Sequence, residues 1–454
     1  MALYSIILAA GEGKRMCSAH AKPLQKAAGR TLADWVLAAA EGAGAEQNIM
    51  VVGHQEEEIR AHFGERVTYA CQCEQLGTGH AVMQGVKPIE DREGTVLVLC
   101  GDTPLIRAET LRSALARHME EGRSATVITA IAENSYGYGR IVRRENKIAY
   151  IVEEKDANEE EKAIREINAG MYLFDLQKLV SALGRIRNDN AQGEYYLTDV
   201  IAILLADGEI VDTYVAPMEE TLGVNDRIQL AQADGLLNAA KVRELMAAGV
   251  CVLNPDSVRA EAGVTVGRDT VLYPGTILEG DTQIGEGCVV GPNTRLKNCK
   301  IGDGTEIQYS VAVDSTVGSE TSVGPFAYLR PNSHIGSGNK VGDFVEVKNA
   351  TIGDGTKIAH LTYVGDADVG QRVNFGCGTV VVNYDGVAKH RTTIEDDCFI
   401  GCNSNLVSPV TVRKGAYTAA GSTITEEVPE DALAIARARQ VNKDGWVTRK
   451  RRKD

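Results

Sequence analysis

The sequence predicts two folds in one chain. Residues 1–225 read as an α/β unit with a mostly parallel, doubly wound sheet, residues 226–250 as a linker helix, and residues 251–454 as a parallel β-helix of hexapeptide repeats. Three observations carry this. The first half alternates short apolar runs with stretches of helical spacing, the pattern of an α/β layer. The second half repeats an apolar residue every six positions from Val266 to Ile424. Between them Ile228, Leu230, Ala231, Leu236, Leu237, Ala240 and Leu245 keep helical spacing with no Pro. At 454 residues the chain is too long for a single core.

In the first half, strands are predicted at 4–8, 49–52, 96–99, 125–131 and 171–174, with helices at 31–42 and 110–122. Ligands of doubly wound sheets bind at the carboxyl ends of strands, so the residues there matter most. The first strand runs into Leu8-Ala9-Ala10-Gly11-Glu12-Gly13-Lys14-Arg15. A dinucleotide fingerprint needs a third Gly and a Walker loop needs Gly-Lys-Ser/Thr, so it is neither. Two glycines before a helix still offer backbone N–H groups to an anion, with Arg15 and Lys22 as cations; a plain strand–helix turn is the alternative. Next comes the polar loop Glu74-Gln75-Leu76-Gly77-Thr78-Gly79-His80-Ala81. Cys100-Gly101-Asp102 sets an acid just past an apolar strand, suited either to Mg²⁺ or to capping a helix.

The six-residue beat fits neither a helix nor a coiled coil. It runs through Val266, Leu272, Leu278, Ile284, Val290 and Leu296, and recurs with five-residue steps as far as Ile424. Four positions after many beats stands a small residue, among them Thr270, Thr282, Cys288, Thr305, Ser333 and Cys398, and Gly often follows the apolar residue directly. One bulky and one small inward residue per hexad, three hexads per turn, describes a prism. Gly is expected to make the sharp corners. The shortened steps have no explanation in the sequence.

Net charge is −14, with 44% hydrophobic and 24% charged residues. That is ordinary soluble composition, and it argues against nucleic-acid binding and membrane-surface binding. No run is long enough to span a bilayer, and the start of the chain reads as a strand, not a signal peptide. The ten Cys contain no CxxC pair, which points to free thiols in a reducing, cytoplasmic setting. The basic run Arg449-Lys450-Arg451-Arg452-Lys453 reads as a solvated terminus.

After Phe375 the beat is lost until Ile394. The insert Asn383-Tyr384-Asp385-Gly386-Val387-Ala388-Lys389-His390-Arg391 is polar and turn-forming, and loops on rigid scaffolds carry function. His360 lies two residues past an inward position; alone, such a His is more often structural.

Taken in order, the loop with Gly11, Gly13 and Arg15, the Gln72–Thr78 stretch, Asp102, Gly137-Tyr138-Gly139, Glu153, Asn168, Gln192–Asp199 and Asn225 resemble the sugar-phosphate nucleotidyltransferases. Joined to the hexad prism, they resemble the bifunctional N-acetylglucosamine-1-phosphate uridyltransferase / glucosamine-1-phosphate acetyltransferase family. The resemblance spans nearly the whole chain and implies a Rossmann-like nucleotidyltransferase domain and a left-handed coil. It implies UTP and UDP-sugar binding by Leu8, Ala9, Ala10, Gly11, Gly13, Arg15, Lys22, Gln72, Gly77, Thr78, Gly137, Glu153, Asn168 and Asn225, with Asp102 and Asn225 holding Mg²⁺. In the prism it implies His360 as general base and Arg330, Lys348, Tyr363, Asn374 and Lys389 around glucosamine-1-phosphate. Asn383, Tyr384, Cys402, Ala420 and Arg437 would meet acetyl-CoA. The resemblance further implies that N-acetylglucosamine-1-phosphate is then uridylated to a precursor of peptidoglycan, by a cytoplasmic homotrimer. Three positions depart from the family pattern: Lys14 stands where Thr is frequent, Cys100 where some members have Tyr, and Cys402 where Ser is usual. A Tyr contact to the sugar and a hydroxyl contact to the coenzyme are therefore not carried over. Two other readings use the same folds. One keeps the nucleotidyltransferase and makes the prism an oligomerisation or regulatory module, against which His360 and the 383–391 insert speak. The other is a non-catalytic scaffold, against which Arg15, Lys22, Asp102 and Asn225 speak.

Overall fold

The computed structural model describes residues 2–190 and 192–451, so Arg452 and Lys453 of the basic run lie outside the described residues. Backbone contacts divide the chain into two units, Met1–Leu237 and Asn238–Asp454. Among the described residues no helix is long and apolar enough to cross a membrane.

The first unit is built on a nine-stranded sheet. Its strands are β1 (Leu3–Leu8), β2 (Gln47–Val52), β3 (Thr68–Cys71), β4 (Thr95–Cys100), β5 (Ala125–Ile131), β6 (Gly139–Arg144), β7 (Lys147–Val152), β8 (Glu166–Asp175) and β9 (Val211–Val215). The order is β9-β5-β8-β4-β1-β2-β3, with the hairpin β6/β7 attached to β8. Central β1 is parallel to β2 and β4. Its alternate residues feed two cores, Ile6 one and Ile7 the other. Over one face lie α1 (Leu32–Gly42), α2 (Glu56–Phe63) and α4 (Ala108–Glu120), through Val36, Ile59 and Leu111. Over the other lie α3 (Thr78–Val86), α5 (Leu176–Leu183) and α6 (Thr198–Ala206), through Val82, Leu179 and Val200. The Thr31 hydroxyl starts α1 by accepting from the Asp34 amide at 3.1 Å.

The sheet is mostly parallel, as expected, with β8 the reversed strand, antiparallel to both β4 and β5. The apolar run at 171–174 marks the strand but not its direction. The hairpin β6/β7 returns the chain to the end of the sheet where β5 stops, so β8 starts there, with Glu166 opposite Ile131, and runs back. Residues next to the hairpin are thereby gathered at the carboxyl end of β1 and β4.

The predicted linker helix forms as α7 (Arg227–Ala247). The second unit is a prism of three parallel sheets with eleven, ten and nine strands. It begins at Cys251–Val252, before the beat becomes legible at Val266. Coils stack in register: Leu272 lies on Val290, Leu278 on Leu296 and Ile284 on Ile301. These columns form one continuous apolar core. The small residues are buried too, and they are more than space fillers. The Thr282 hydroxyl donates to the Glu279 carbonyl at 2.7 Å and accepts from the Cys299 amide at 3.3 Å, satisfying backbone that a tight corner exposes.

The corners differ from expectation in two ways. Glycines directly after the apolar residue are mostly not turn-makers. They allow coils to touch: a Cβ on Gly302 would lie 2.5 Å from the Ser319 nitrogen, and one on Gly318 would lie 2.6 Å from the Gly336 carbonyl carbon. The turn itself is made by a left-handed residue further on, commonly three positions past the inward one, as at Asp269, Glu320, Asn332 and Asp397. That residue also accounts for the shortened steps. Leu296 to Ile301, Ile307 to Ala312, Ala312 to Val317, Val347 to Ile352 and Val364 to Val369 each turn two positions on, at Asn298, Tyr309, Asp314, Asn349 and Asp366. One residue is lost at the corner and none from the strands, so pairing is undisturbed. Register also survives longer than the sequence suggests, since Val381 is a buried inward residue and the insert begins only after Val382.

One corner carries bulky residues in the left-handed conformation: Tyr309 (φ 47°), Phe326 (60°), Phe344 (56°) and Leu361 (45°). β-region backbone would suit them better, and holding such residues there costs on the order of 1–3 kcal/mol each. They form an exposed ladder, with Phe326 and Phe344 stacked at 5.5 Å.

Candidate active sites

In the first unit the carboxyl ends of β1, β3 and β4 surround a cavity of about 320 Å³. Leu8, Ala9, Ala10, Gly11, Lys22, Gln72, Gly77, Thr78 and Asp102 all border it. Among the described residues, the amides of Gly11, Glu12 and Gly13 have no acceptor within the chain, so they are free for an anion. Gly13 has φ 63°, and a Cβ there would lie 2.7 Å from the Lys22 Cβ, which requires glycine. The loop therefore packs directly on the lysine stem.

Lys22 is the hub. Its ammonium donates to Asp102 and, at 2.9 Å, to the Asn225 side-chain oxygen. Arg15 donates to the same Asn225 oxygen at 2.9 Å. Three stretches far apart in sequence thus converge, and the Val224 amide ties the last to the Asp102 carbonyl at 2.9 Å. One carboxylate and one carboxamide oxygen meeting on a cation fit a hard divalent ion, which asks for few protein oxygens and keeps room for water and phosphate. Among the described residues no cluster of three or more His, Cys, Asp or Glu is placed to hold a metal.

On the other wall, the Gln72 carboxamide donates to the Gly77 carbonyl at 3.0 Å and lies 3.3 Å from His80 Nδ1. Gly77 has φ 103° and leads into α3, with a Cβ there 2.6 Å from the Tyr195 carbonyl oxygen. The Thr78 hydroxyl accepts from the Leu197 amide at 3.2 Å. Gln75 lines the cavity and bonds the Ala10 carbonyl at 2.8 Å; sequence reasoning quoted it but gave it no role.

Gly137, Glu153 and Asn168 gather beside the hairpin. Asn168 pairs with Gly139 across the strands and donates to the Tyr172 hydroxyl at 2.7 Å. The Gly137 amide donates to Glu154 at 3.0 Å, and Glu154 pairs with the buried Arg140 at 2.7 Å. Burial, then the neighbouring Asp156, holds the Glu153 carboxyl above the usual carboxylate range. Cys100 reaches both groups: it borders the cavity and its thiol donates to the Gly170 carbonyl at 3.4 Å. Burial, helped by Asp102, pushes that thiol up to about 12.

In the prism, His360 is exposed at the corner that carries the aromatic ladder, next to Leu361. Its Nδ1 lies 2.6 Å from an Asp343 oxygen. A carboxylate can only accept, so Nδ1 carries a proton, and in the neutral ring Nε2 is the nitrogen with the lone pair. The bond to His360 holds the Asp343 carboxyl below its usual range. Asp343 was not singled out from the sequence. Its signal is the separation from His360, 17 residues, one shortened coil.

Around the next corner Lys348 lies 3.4 Å from Asp366, which also accepts from Asn349 at 2.6 Å and from Asn383. Asn383 lies 3.4 Å from the Tyr363 hydroxyl. Asn383 is therefore buried in the stack, whereas Tyr384 projects. Lys389 reaches back to Lys348, and hydrogen bonding to that side chain together with its like charge lowers the Lys389 ammonium. Arg330 is held by Glu346 at 2.8 Å. Cys402 and Ala420 follow one another up the His360 corner, where a Cβ on Gly421 would lie 3.8 Å from the Arg437 Cδ. Asn374 is not brought to the Lys348 group. It lies in a different sheet, paired with Lys357 and Phe399.

A nucleotide-type cradle in an α/β sheet, followed by a hexapeptide coil bearing an oriented imidazole, defines a two-part transferase, one module for nucleotidyl groups and one of the acyltransferase type. Comparison agrees. Residues 4–219 match the Nucleotidyl transferase family. Residues 263–298 match Bacterial transferase hexapeptide (six repeats), and 391–426 match the Hexapeptide repeat of succinyl-transferase, in keeping with a left-handed coil. The chain is 52% identical over 448 residues to the bifunctional protein GlmU of Geobacillus sp. (strain WCH70), covering 98% of each. It is 53% identical over 452 residues to that of Alkaliphilus oremlandii (strain OhILAs), covering 99% of each. It is 51% identical over 450 residues to that of Acetivibrio thermocellus, covering 99% of this chain and 98% of the other. The chain belongs to the bifunctional GlmU family.

Proposed function

We propose that the protein makes UDP-N-acetylglucosamine in two steps. The prism transfers the acetyl group of acetyl-CoA to glucosamine-1-phosphate, and the sheet unit transfers uridyl from UTP to the resulting N-acetylglucosamine-1-phosphate with release of pyrophosphate. The observation that carries the reading is the pair of constellations on separate units: Lys22 bridging Asp102 and Asn225, and His360 oriented by Asp343.

At the first site both reactants are anions, and the sugar phosphate is already ionised. The residues therefore neutralise and align, and no general base is needed. The open amides at Gly11 and Gly13 and the charges of Arg15 and Lys22 receive the nucleotide phosphates. Gln72, Gly77 and Thr78 read the base, while Gly137, Glu153 and Asn168 hold the acetylated sugar. Mg²⁺, when bound by Asp102 and Asn225, supplies charge neutralisation at the phosphate oxygens.

At the second site His360 Nε2 takes a proton from the sugar amine as it attacks the thioester carbonyl, a role worth roughly 10²–10⁴-fold. Arg330 and Lys348 bind the sugar phosphate, with Tyr363 and Lys389 beside it. Asn383, Tyr384, Cys402, Ala420 and Arg437 receive acetyl-CoA. Because Asn374 stands in another sheet, its contact to the amino sugar is best supplied across a subunit boundary. The exposed aromatic ladder beside His360 supports such an assembly, read here as a cytoplasmic homotrimer.

The direct test is one assay of purified protein with glucosamine-1-phosphate, acetyl-CoA, UTP and Mg²⁺, following CoA thiol and pyrophosphate separately. Both are expected, with pyrophosphate lagging. Pyrophosphate release from N-acetylglucosamine-1-phosphate with no CoA released from glucosamine-1-phosphate would leave a nucleotidyltransferase with a structural prism. Assembly has its own test. Phe344→Asp should lower the mass seen by sedimentation equilibrium from three chains to one and cut acetyl transfer about tenfold or more. Uridyl transfer should persist, and an unchanged mass would refute the ladder as an interface.

A further inference from the structure

Two thiols flank the residue assigned to the nucleotide base. Cys71 ends β3 and Cys73 follows Gln72, so the two lie on the same side of an extended segment. Their sulfurs are 2.7 Å apart. Both are free, Cys71 half-buried and Cys73 exposed. Neither takes part in the chemistry above. Gln72 between them is fixed on three sides. Its amide donates to the Val52 carbonyl at 2.7 Å, its side chain bonds Gly77 and approaches His80, and its carbonyl oxygen would lie 2.9 Å from a Cβ on Gly53. Little slack is left for a change in the backbone.

We propose that Cys71 and Cys73 form a reversible modification site: a small disulfide oxidises them to an intramolecular bond that pulls Gln72 out of place and slows uridyl transfer. The exposed Cys73 thiolate attacks one sulfur of the reagent R–S–S–R, forming a mixed disulfide and releasing one R–SH. Cys71 then loses its proton, attacks the Cys73 sulfur and releases the second R–SH. Two protein thiols are oxidised and one reagent disulfide is reduced to two thiols. Hydrogen bonding to Cys73, with burial and the nearby Glu56 carboxylate, pushes the Cys71 thiol up to about 12. Cys71 consequently rests protonated at neutral pH, so the second step is slow and quickens as pH rises. Closure spans one intervening residue and needs the backbone at Gln72 to bend from its extended course. That bend is what couples the thiols to the cavity. Acetyl transfer, on the other unit, is untouched.

The coupling to rate rests on the functional reading above, and the test separates the two. The full-length protein is incubated with oxidised glutathione or with dithiothreitol. The peptide carrying both cysteines is weighed, and pyrophosphate and CoA release are measured. Oxidation should remove two hydrogens from that peptide and lower uridyl transfer several-fold, with dithiothreitol restoring it and CoA release constant. Cys73→Ser should transfer uridyl normally and resist oxidation. Absence of the mass change, a bonded form with an unchanged rate, or equal loss in Cys73→Ser overturns the proposal. A reduced chain that releases no pyrophosphate from UTP and N-acetylglucosamine-1-phosphate overturns the functional reading instead.

Discussion

Asp102→Ala should lower uridyl transfer by about 10²–10³-fold or more while acetyl transfer from acetyl-CoA continues at its normal rate. The size of the effect follows from what the carboxylate does. Among the described residues it is one of two side-chain oxygens that meet at Lys22, and it is the charged one. Without it the site keeps an ammonium and a guanidinium facing a neutral carboxamide, so it can still attract anions. UTP should therefore bind while turnover fails, and the loss should fall on kcat. The substitution leaves the local backbone intact, because the tie from the Val224 amide is to the Asp102 main chain. Measuring pyrophosphate release against Mg²⁺ concentration gives a second signature, a metal requirement that higher Mg²⁺ no longer satisfies. A variant turning over at near-normal rate would remove Asp102 from the mechanism.

His360→Ala should abolish acetyl transfer, by about 10²–10⁴-fold, and leave uridyl transfer from N-acetylglucosamine-1-phosphate intact. The imidazole is exposed and its Nδ1 is held by Asp343, so its removal opens no core cavity. Asp343→Asn serves as the positioning control. The ring stays, but the carboxylate that fixes its tautomer is gone, so kcat should fall by less than in His360→Ala with KM little changed. Asp343 is held ionised below its ordinary range, so the bond that orients the ring persists as pH falls through normal carboxylate values and is lost only at lower pH. If His360→Ala lost both activities while folded, the sites would not be independent.

Most of the prism was legible because its period is short and its chemistry repeats: a bulky column, a small column and a corner. What escaped was three-dimensional bookkeeping. Ala312 is an inward residue too small to register as a beat, and the shortened steps make sense only once backbone angles are known. In the sheet unit, apolar runs located strands but not the reversal of β8, which depends on where a hairpin returns the chain. The roles of the nucleotide residues come from the family resemblance, yet their convergence on Lys22 joins positions 203 residues apart that nothing local relates. Asp343 and Asp366 were missed although each stands 17 residues from a named partner, His360 and Asn383. Reading down the coil, not along the chain, would have found both.

Since shortened and full steps alike return the strand to its column, the corners behave as slack between rigid faces. A lineage can trim or add a residue at such a bend and leave every layer above it in place, so that insertions such as the one after Val382 are free to specialise while the imidazole keeps its seat.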